Sequence, residues 1–209
     1  MRIVLNKISK RYNDNWIFKN INYEFTSDHA YVIKGGNGSG KSTLLQLISG
    51  NLTPSEGTLN YYLNTSQIRY DQVYANLSMQ SPSMDLIDVF TMREIISFHF
   101  RFKGLYPGIS IQKVIDIIDL DESHKKPLKE FSSGMKQRVK LALAILSDTQ
   151  ILLLDEPTGS LDKNGINWYN QMMNKYRKNR LVIVCSNQIK EEYSFCNKEL
   201  TVEDYKIFN

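Results

Sequence analysis

Residues 35–42 read Gly-Gly-Asn-Gly-Ser-Gly-Lys-Ser, a full match to G-x-x-x-x-G-K-[ST], and this run constrains the fold more tightly than any composition argument. Glycines at this density let successive backbone N–H groups turn into one concavity, and a helix starting at its rim adds the positive end of its dipole. Gly35, Gly36, Asn37, Gly38, Ser39, Gly40 and Thr43 then form a cradle for a β-phosphate. Lys41 brings a compact positive charge to the β- and γ-phosphates, and the Ser42 hydroxyl can ligate Mg²⁺. Such a loop works only between a strand and a helix. The flanks meet that requirement: Tyr31 to Ile33 reads as a strand, and Ser42 to Ile48 as a helix closed by Gly50.

A second run, Ile151-Leu-Leu-Leu154 followed by Asp155-Glu156, reads as a strand buried on both faces that delivers carboxylates at its C-terminal end. Together with the phosphate loop it becomes a magnesium and catalytic site. Asp155 can hold Mg²⁺ through water, and Glu156 can orient or deprotonate an attacking water.

The remaining chain organises around these two strands. Arg2 to Leu5, Trp16 to Phe25 and Thr58 to Leu63 read as further strands, and Leu181 to Val184 as a buried one. Thr91-Met-Arg-Glu94 is a capping box opening an amphipathic helix through Phe102. Ser110 to Leu120 reads as a second helix, a third begins at Ser132 or Ser133 and runs to Leu146, and a fourth spans about Lys163 to Tyr176. The pattern predicts an α/β core interrupted by a mostly helical insertion at roughly 83–146.

Composition excludes several alternatives. With 42% hydrophobic and 23% charged residues, the 209-residue chain can bury a core large enough to offset folding entropy, so a disordered tail is ruled out. The net charge of +4 is too small and too scattered to argue for nucleic acid as a partner. Cys185 and Cys196 cannot build a disulfide framework, and Cys185 reads as a core residue. The first residues lack a secretory signal's apolar stretch, and no run nears the ~20 residues of a membrane span. The expectation is a cytoplasmic chain that does not itself span a membrane.

Phe131-Ser132-Ser133-Gly134-Met135-Lys-Gln137-Arg138, lying between the phosphate loop and Asp155-Glu156, resembles the signature motif of the ATP-binding cassette (ABC) ATPases. The resemblance covers nearly the whole chain and preserves the family's motif order. It implies a P-loop NTPase core with a parallel sheet, an N-terminal antiparallel β subdomain and an inserted helical subdomain. The domain would be single, with its core at 1–82 and 147–209 and the helical part at 83–146. It further implies ATP and Mg²⁺ bound between two head-to-tail nucleotide-binding subunits, with Ser132, Ser133 and Gly134 of one capping the γ-phosphate held by the other. Tyr12 matches the aromatic that stacks on adenine, with Trp16 a rival. Gln80 matches a glutamine that senses Mg²⁺ and the attacking water, and Asp162 the aspartate that contacts the other subunit. The implied partners are that second subunit and a separate transmembrane permease, placing the chain peripherally on the cytoplasmic face of the membrane. Met84, Leu86, Ile87 and Phe90 are candidates for the docking patch.

Three residues depart from the family pattern. Ser133 stands where a second glycine is usual, Met135 where a glutamine is usual, and Asn187 where the switch histidine belongs. Asn187 can hydrogen-bond a γ-phosphate oxygen but cannot titrate. The resemblance thus leaves two readings: an ATPase that is slow or leans more heavily on Glu156, or a nucleotide-gated interaction module or soluble ABC protein with little turnover. A GTPase is disfavoured, because Asn6-Lys-Ile-Ser9 and Asn197-Lys-Glu-Leu200 both lack the final aspartate of a guanine-reading motif.

Overall fold

The computed structural model describes residues 1–120 and 125–206. Two sheets form its frame. Strands β1 (Arg2–Tyr12), β2 (Asn15–Thr26), β4 (Glu56–Leu63) and β5 (Ser66–Ile68) make an antiparallel sheet in the order β2-β1-β4-β5. Strands β3 (Ala30–Lys34), β6 (Leu77–Gln80), β7 (Ile151–Asp155), β8 (Leu181–Ser186) and β9 (Lys198–Thr201) make a wholly parallel sheet in the order β6-β7-β8-β3-β9.

The apolar runs explain the second sheet. Every residue of β7 and β8 is buried, as a strand covered on both faces requires. Their side chains alternate between two cores. Ile151, Leu153, Leu181 and Ile183 face α1 (Lys41–Ile48) and the antiparallel sheet, where Ile3, Ile8, Phe18 and Phe25 close the core. Leu152, Leu154, Val182 and Val184 face the other way, into a core shared with helices α2 (Met92–Phe102), α3 (Ile111–Ile118), α4 (Ser133–Ile145) and α5 (Lys163–Tyr176).

Helix starts follow the expected caps. Thr91 and Glu94 exchange the two bonds of a capping box, Ser110 accepts from the Lys113 N–H, Ser132 from the Met135 N–H and Asp162 from the Gly165 N–H. α1 differs. Its N-cap is Gly40, in a left-handed conformation (φ 105°), and no side chain satisfies its first N–H groups.

Several elements exceed or escape the sequence reading. β1 extends well past Leu5, with register shifts around Asn6–Ser9 where Lys7 adopts φ 52°. β6, β9 and the short α6 (Lys190–Tyr193) carry too few apolar residues for periodicity to show them.

Near the C-terminal end of α2, half-buried His99 pairs its Nε2 with the Ser147 hydroxyl at 2.9 Å. Burial first, and the Lys103 ammonium second, push its pKa down to about 4. A histidine depressed in the fold contributes stability above its unfolded value near 6.5 and loses it as pH falls toward the folded value. Acidification from pH 7 to 4.5 is therefore expected to remove up to about 3 kcal/mol through this residue. The loss of Tm over that range should be smaller in H99Q than in the wild type, and equal losses would show that His99 is not the source.

Candidate functional site

Because the central strands are parallel, their C-terminal ends reach one edge of the sheet, and the register aligns them. Gln80 ends β6 opposite Leu154, Asp155 ends β7 opposite Cys185, and Lys34 of β3 lies opposite Ser186, the residue before Asn187. The loop Gly35–Gly40 leaves β3 at this edge and feeds α1, so loop, carboxylates, Gln80 and Asn187 share one location.

The loop's shape depends on its glycines at two positions in particular. A Cβ on Gly35 would stand 2.3 Å from the Ser39 Oγ, and one on Gly40 would stand 2.5 Å from Cγ2 of Ile17 on β2. Lys41 is only 4% exposed. Its ammonium donates to the carbonyls of Gly35 (2.8 Å) and Gly36 (3.0 Å) and lies 3.8 Å from Glu156 Oε1. Asn187 Nδ2 donates to Asn37 Oδ1 at 2.9 Å, which brings the residue in the histidine position onto the loop. A cavity of about 420 Å³ opens here, lined by Asn37 through Thr43 together with Ile17 and Glu156.

Asp155 is buried, and desolvation raises its pKa, with the Ser42 hydroxyl and Lys41 pulling down and Glu156 adding to the rise. Its Oδ1 has no hydrogen-bond partner, and neither has the buried Oε1 of Gln80. Two orphaned acceptor oxygens beside a serine hydroxyl are a hard-donor set that fits Mg²⁺. Glu156 follows with a left-handed backbone (φ 45°) held by its N–H bond to the Cys185 carbonyl at 2.9 Å. A non-glycine residue there is strained, and the strain re-aims the carboxylate as the chain leaves β7.

The start of α4 lies elsewhere. Ser133, Lys136, Gln137 and Lys140 line a second cavity of about 350 Å³ with Pro82, Gly159, Ser160 and, again, Glu156. Ser132 accepts the Met135 N–H at 3.2 Å, which leaves its own O–H free to donate. Gly134 is needed because a Cβ there would come within 2.9 Å of the Ser160 carbonyl. None of Ser132, Ser133 and Gly134 lines the phosphate-loop cavity. Asp162 is spent on capping α5. Tyr12 is 48% exposed at the end of β1 with the Lys10 ammonium 5.2 Å from its ring centre; it does not line the phosphate cavity, whereas Ile17 does. Trp16 stacks against Lys19 and Arg11 instead.

Three polar residues went unassigned in the sequence. Gln137, buried on α4, accepts from Gln80 Nε2 at 3.4 Å and donates to the Pro157 carbonyl at 2.8 Å, joining β6 to the loop after Glu156. Glu203 accepts the Gly36 N–H at 2.7 Å. Glu192 is buried against Thr158 and Ser186. Gln137 lies in the polar run Lys136-Gln137-Arg138, where nothing in the sequence marks it as the buried one, and the other two fall in short elements without periodicity.

Known proteins agree with this geometry. The ABC transporter family model matches residues 18–159. An energy-coupling factor transporter ATP-binding protein, EcfA1 of Thermotoga maritima, is 35% identical over 78% of this chain and 63% of its own length. An uncharacterized ABC transporter ATP-binding protein of Bacillus subtilis, YybJ, is 30% identical over 93% of this chain and 88% of its own. A Pyrococcus furiosus ABC transporter ATP-binding protein structure superposes with a TM-score of 0.82 at 21% identity, covering 99% of this chain and all of that one. A cassette solved as a dimer with ADP and Pi gives 0.82 at 23% identity, over 99% of this chain and 97% of that one. The chain belongs to the ABC transporter family, and its fold is that of the ATP-binding cassettes. It spans somewhat under two thirds of the EcfA1 relative.

Desolvation of Asp155 has a measurable consequence. Its charged form is disfavoured in the fold, so at pH 7 to 8 the nucleotide-free D155N variant is expected to melt above the wild type, with the gap closing as pH falls through the raised pKa. Differential scanning calorimetry across that range checks it; a D155N chain that melts lower at every pH contradicts it.

Proposed function

We propose that the chain binds and hydrolyses ATP as a subunit of an ABC transporter, driving a separate transmembrane permease through ATP-dependent closure of a two-subunit site. The observation that carries this reading is the phosphate cradle itself: an uncapped α1, a buried lysine and two orphaned buried oxygens meet at one sheet edge. Lys41 would exchange its bonds to the Gly35 and Gly36 carbonyls for phosphate oxygens, and the free N–H groups of α1 would complete the cradle. Ser42, Gln80 and Asp155 are the residues that would hold Mg²⁺, which when bound neutralises charge on the β- and γ-phosphates. Glu156 would accept a proton from the attacking water, and Asn187 would release Asn37 to donate its amide to the γ-phosphate.

None of Ser132, Ser133 and Gly134 lines the phosphate cavity. A second copy supplying its own α4 start, with the free Ser132 O–H and the positive helix end, would seal it. We assign the core to 1–82 and 147–209 and the helical unit to 83–146. Between them lies a groove of about 320 Å³ walled by Met84, Ile87, Phe98 and Phe102, with Gln80 at its inner end. Met84 and Ile87 are 46% and 40% exposed, whereas Leu86 and Phe90 pack against the core. The exposed pair supports docking of the permease, which would hold the chain at the cytoplasmic membrane face; among the described residues no helix is long and apolar enough to cross a membrane.

Asn187, which cannot titrate, favours a second reading, a nucleotide-gated module with little turnover, and one comparison separates the two. E156Q is expected to lose ATPase activity by a factor of about 10² or more, and to elute as a dimer with ATP and Mg²⁺. Adding S133E, at an exposed first-turn position where an acid suits the helix but repels phosphate, should return it to monomer. Equal ATPase rates in wild type and E156Q would leave only the module. A paired M84E/I87E variant should lose permease pull-down while binding ATP normally, and unaffected pull-down would remove the groove from the interface.

A further inference from the structure

Glu192 is a carboxylate with no place in the mechanism above and with 0% of its surface exposed. α6 is only one turn long, yet it is pinned: the Glu192 N–H donates to the Ile189 carbonyl at 3.0 Å, and the Glu192 carbonyl accepts the Tyr169 hydroxyl of α5 at 2.8 Å. The side chain then points at two loops. One oxygen, Oε1, accepts the Thr158 N–H at 3.0 Å and the Thr158 hydroxyl at 2.8 Å. The other, Oε2, is bonded to the Ser186 hydroxyl, which in turn accepts the Ile189 N–H at 3.2 Å. Thr158 lies two residues after Glu156, and Ser186 one residue before Asn187. A single buried carboxylate therefore spans the two chain segments that carry the groups proposed to act on the γ-phosphate.

Burying a carboxylate is costly unless its hydrogen bonds are complete, and here donors occupy both oxygens. That cost calls for a reason, and Asn187 supplies one. A titrating side chain at this position could be drawn to phosphate or to Glu156 by charge, whereas a neutral amide has only hydrogen-bond geometry to place it. Its side-chain contact with the phosphate loop is the single bond to Asn37. Its other tether is the backbone through Ser186.

We propose that Glu192 is a positioning residue for ATP hydrolysis, fixing the Asn187 segment against the loop that follows Glu156 through Ser186 and Thr158. This rests on the ATPase reading above. Glu192 touches neither nucleotide nor water; it sets where Glu156 and Asn187 stand when the γ-phosphate arrives, so it governs turnover and leaves ATP affinity alone.

The test compares steady-state ATPase and equilibrium binding of a fluorescent ATP analogue in wild type, E192A, E192Q and S186A. In E192A, kcat is expected to fall about tenfold or more while KM and the analogue's Kd stay within about twofold. E192Q should recover at least about a third of wild-type kcat, since its amide oxygen can still accept from Thr158 and its NH₂ can donate to Ser186. S186A, which cuts one arm alone, should lose about threefold or more in kcat at constant KM, and it carries the test if E192A does not fold. A folded E192A or an S186A within twofold of wild-type kcat would overturn the proposal. So would a proportional loss of kcat and affinity, or an E192Q as slow as E192A. A wild type with no ATPase, alone or with its permease, would instead remove the hydrolysis reading and this inference with it.

Discussion

Burial of β7 and β8 on both faces is the constraint from which the site follows. A strand with an apolar core on either side can place no polar side chain along its length without leaving it unsatisfied, so its chemistry is confined to its ends. Parallel pairing then gathers those ends on one edge, and the register sets Gln80, Asp155 and Ser186 on successive levels, within two residues of one another. The phosphate loop arrives at the same edge because β3 lies between β8 and β9 in that sheet. The antiparallel sheet contributes too: Ile17 and Phe18 of β2 lie so close to Gly40 that a Cβ there would clash with Ile17.

Charge at this edge is poorly balanced in the free chain. One buried ammonium, Lys41, faces Glu156 at 3.8 Å with Asp155 beside it, and desolvation raises Asp155. Lys41 meets its own burial by bonding to two loop carbonyls, so the loop is held in shape by the group that is proposed to leave it for phosphate. A polyphosphate adds several negative charges to a site that already contains two carboxylates. A cation entering with it would offset part of that repulsion, and the unpaired oxygens of Asp155 and Gln80 are where such an ion would find hard donors.

Long apolar runs and capping residues made much of this readable in advance. The phosphate loop, β3, β7, β8 and the four side-chain-capped helices follow from periodicity and from Thr91, Ser110, Ser132 and Asp162. What stayed hidden shares a physical cause. β6, β9 and α6 are four residues each, too short for either period to register, and their place comes from neighbours distant in sequence. Gln80 could be matched by its motif, yet its bond to Gln137 depends on α4 lying against β6, a tertiary fact. Glu192 and Glu203 lie in a C-terminal stretch without clear periodicity, and only the fold turns one inward and sets the other on the loop.

Glu156 lines both cavities, and this gives the two-copy arrangement a physical rationale beyond motif order. The loop from Pro157 to Asp162 runs from the phosphate cavity to the α4 start of the same chain, with Gly134 so close to the Ser160 carbonyl that there is no room for a Cβ. In the proposed two-copy site, a partner helix pressing on one cavity would act on a loop that also lines the other, with Glu156 common to both. Gln137 ties the same loop, through the Pro157 carbonyl, to Gln80 at the inner end of the groove. The groove is thus joined to this short loop by hydrogen bonds, Glu156 by the chain itself, and the α4 start by the close approach of Gly134 to the Ser160 carbonyl. The proposed coupling between nucleotide and permease would then require no long relay, only that this loop have two positions whose balance each neighbour biases.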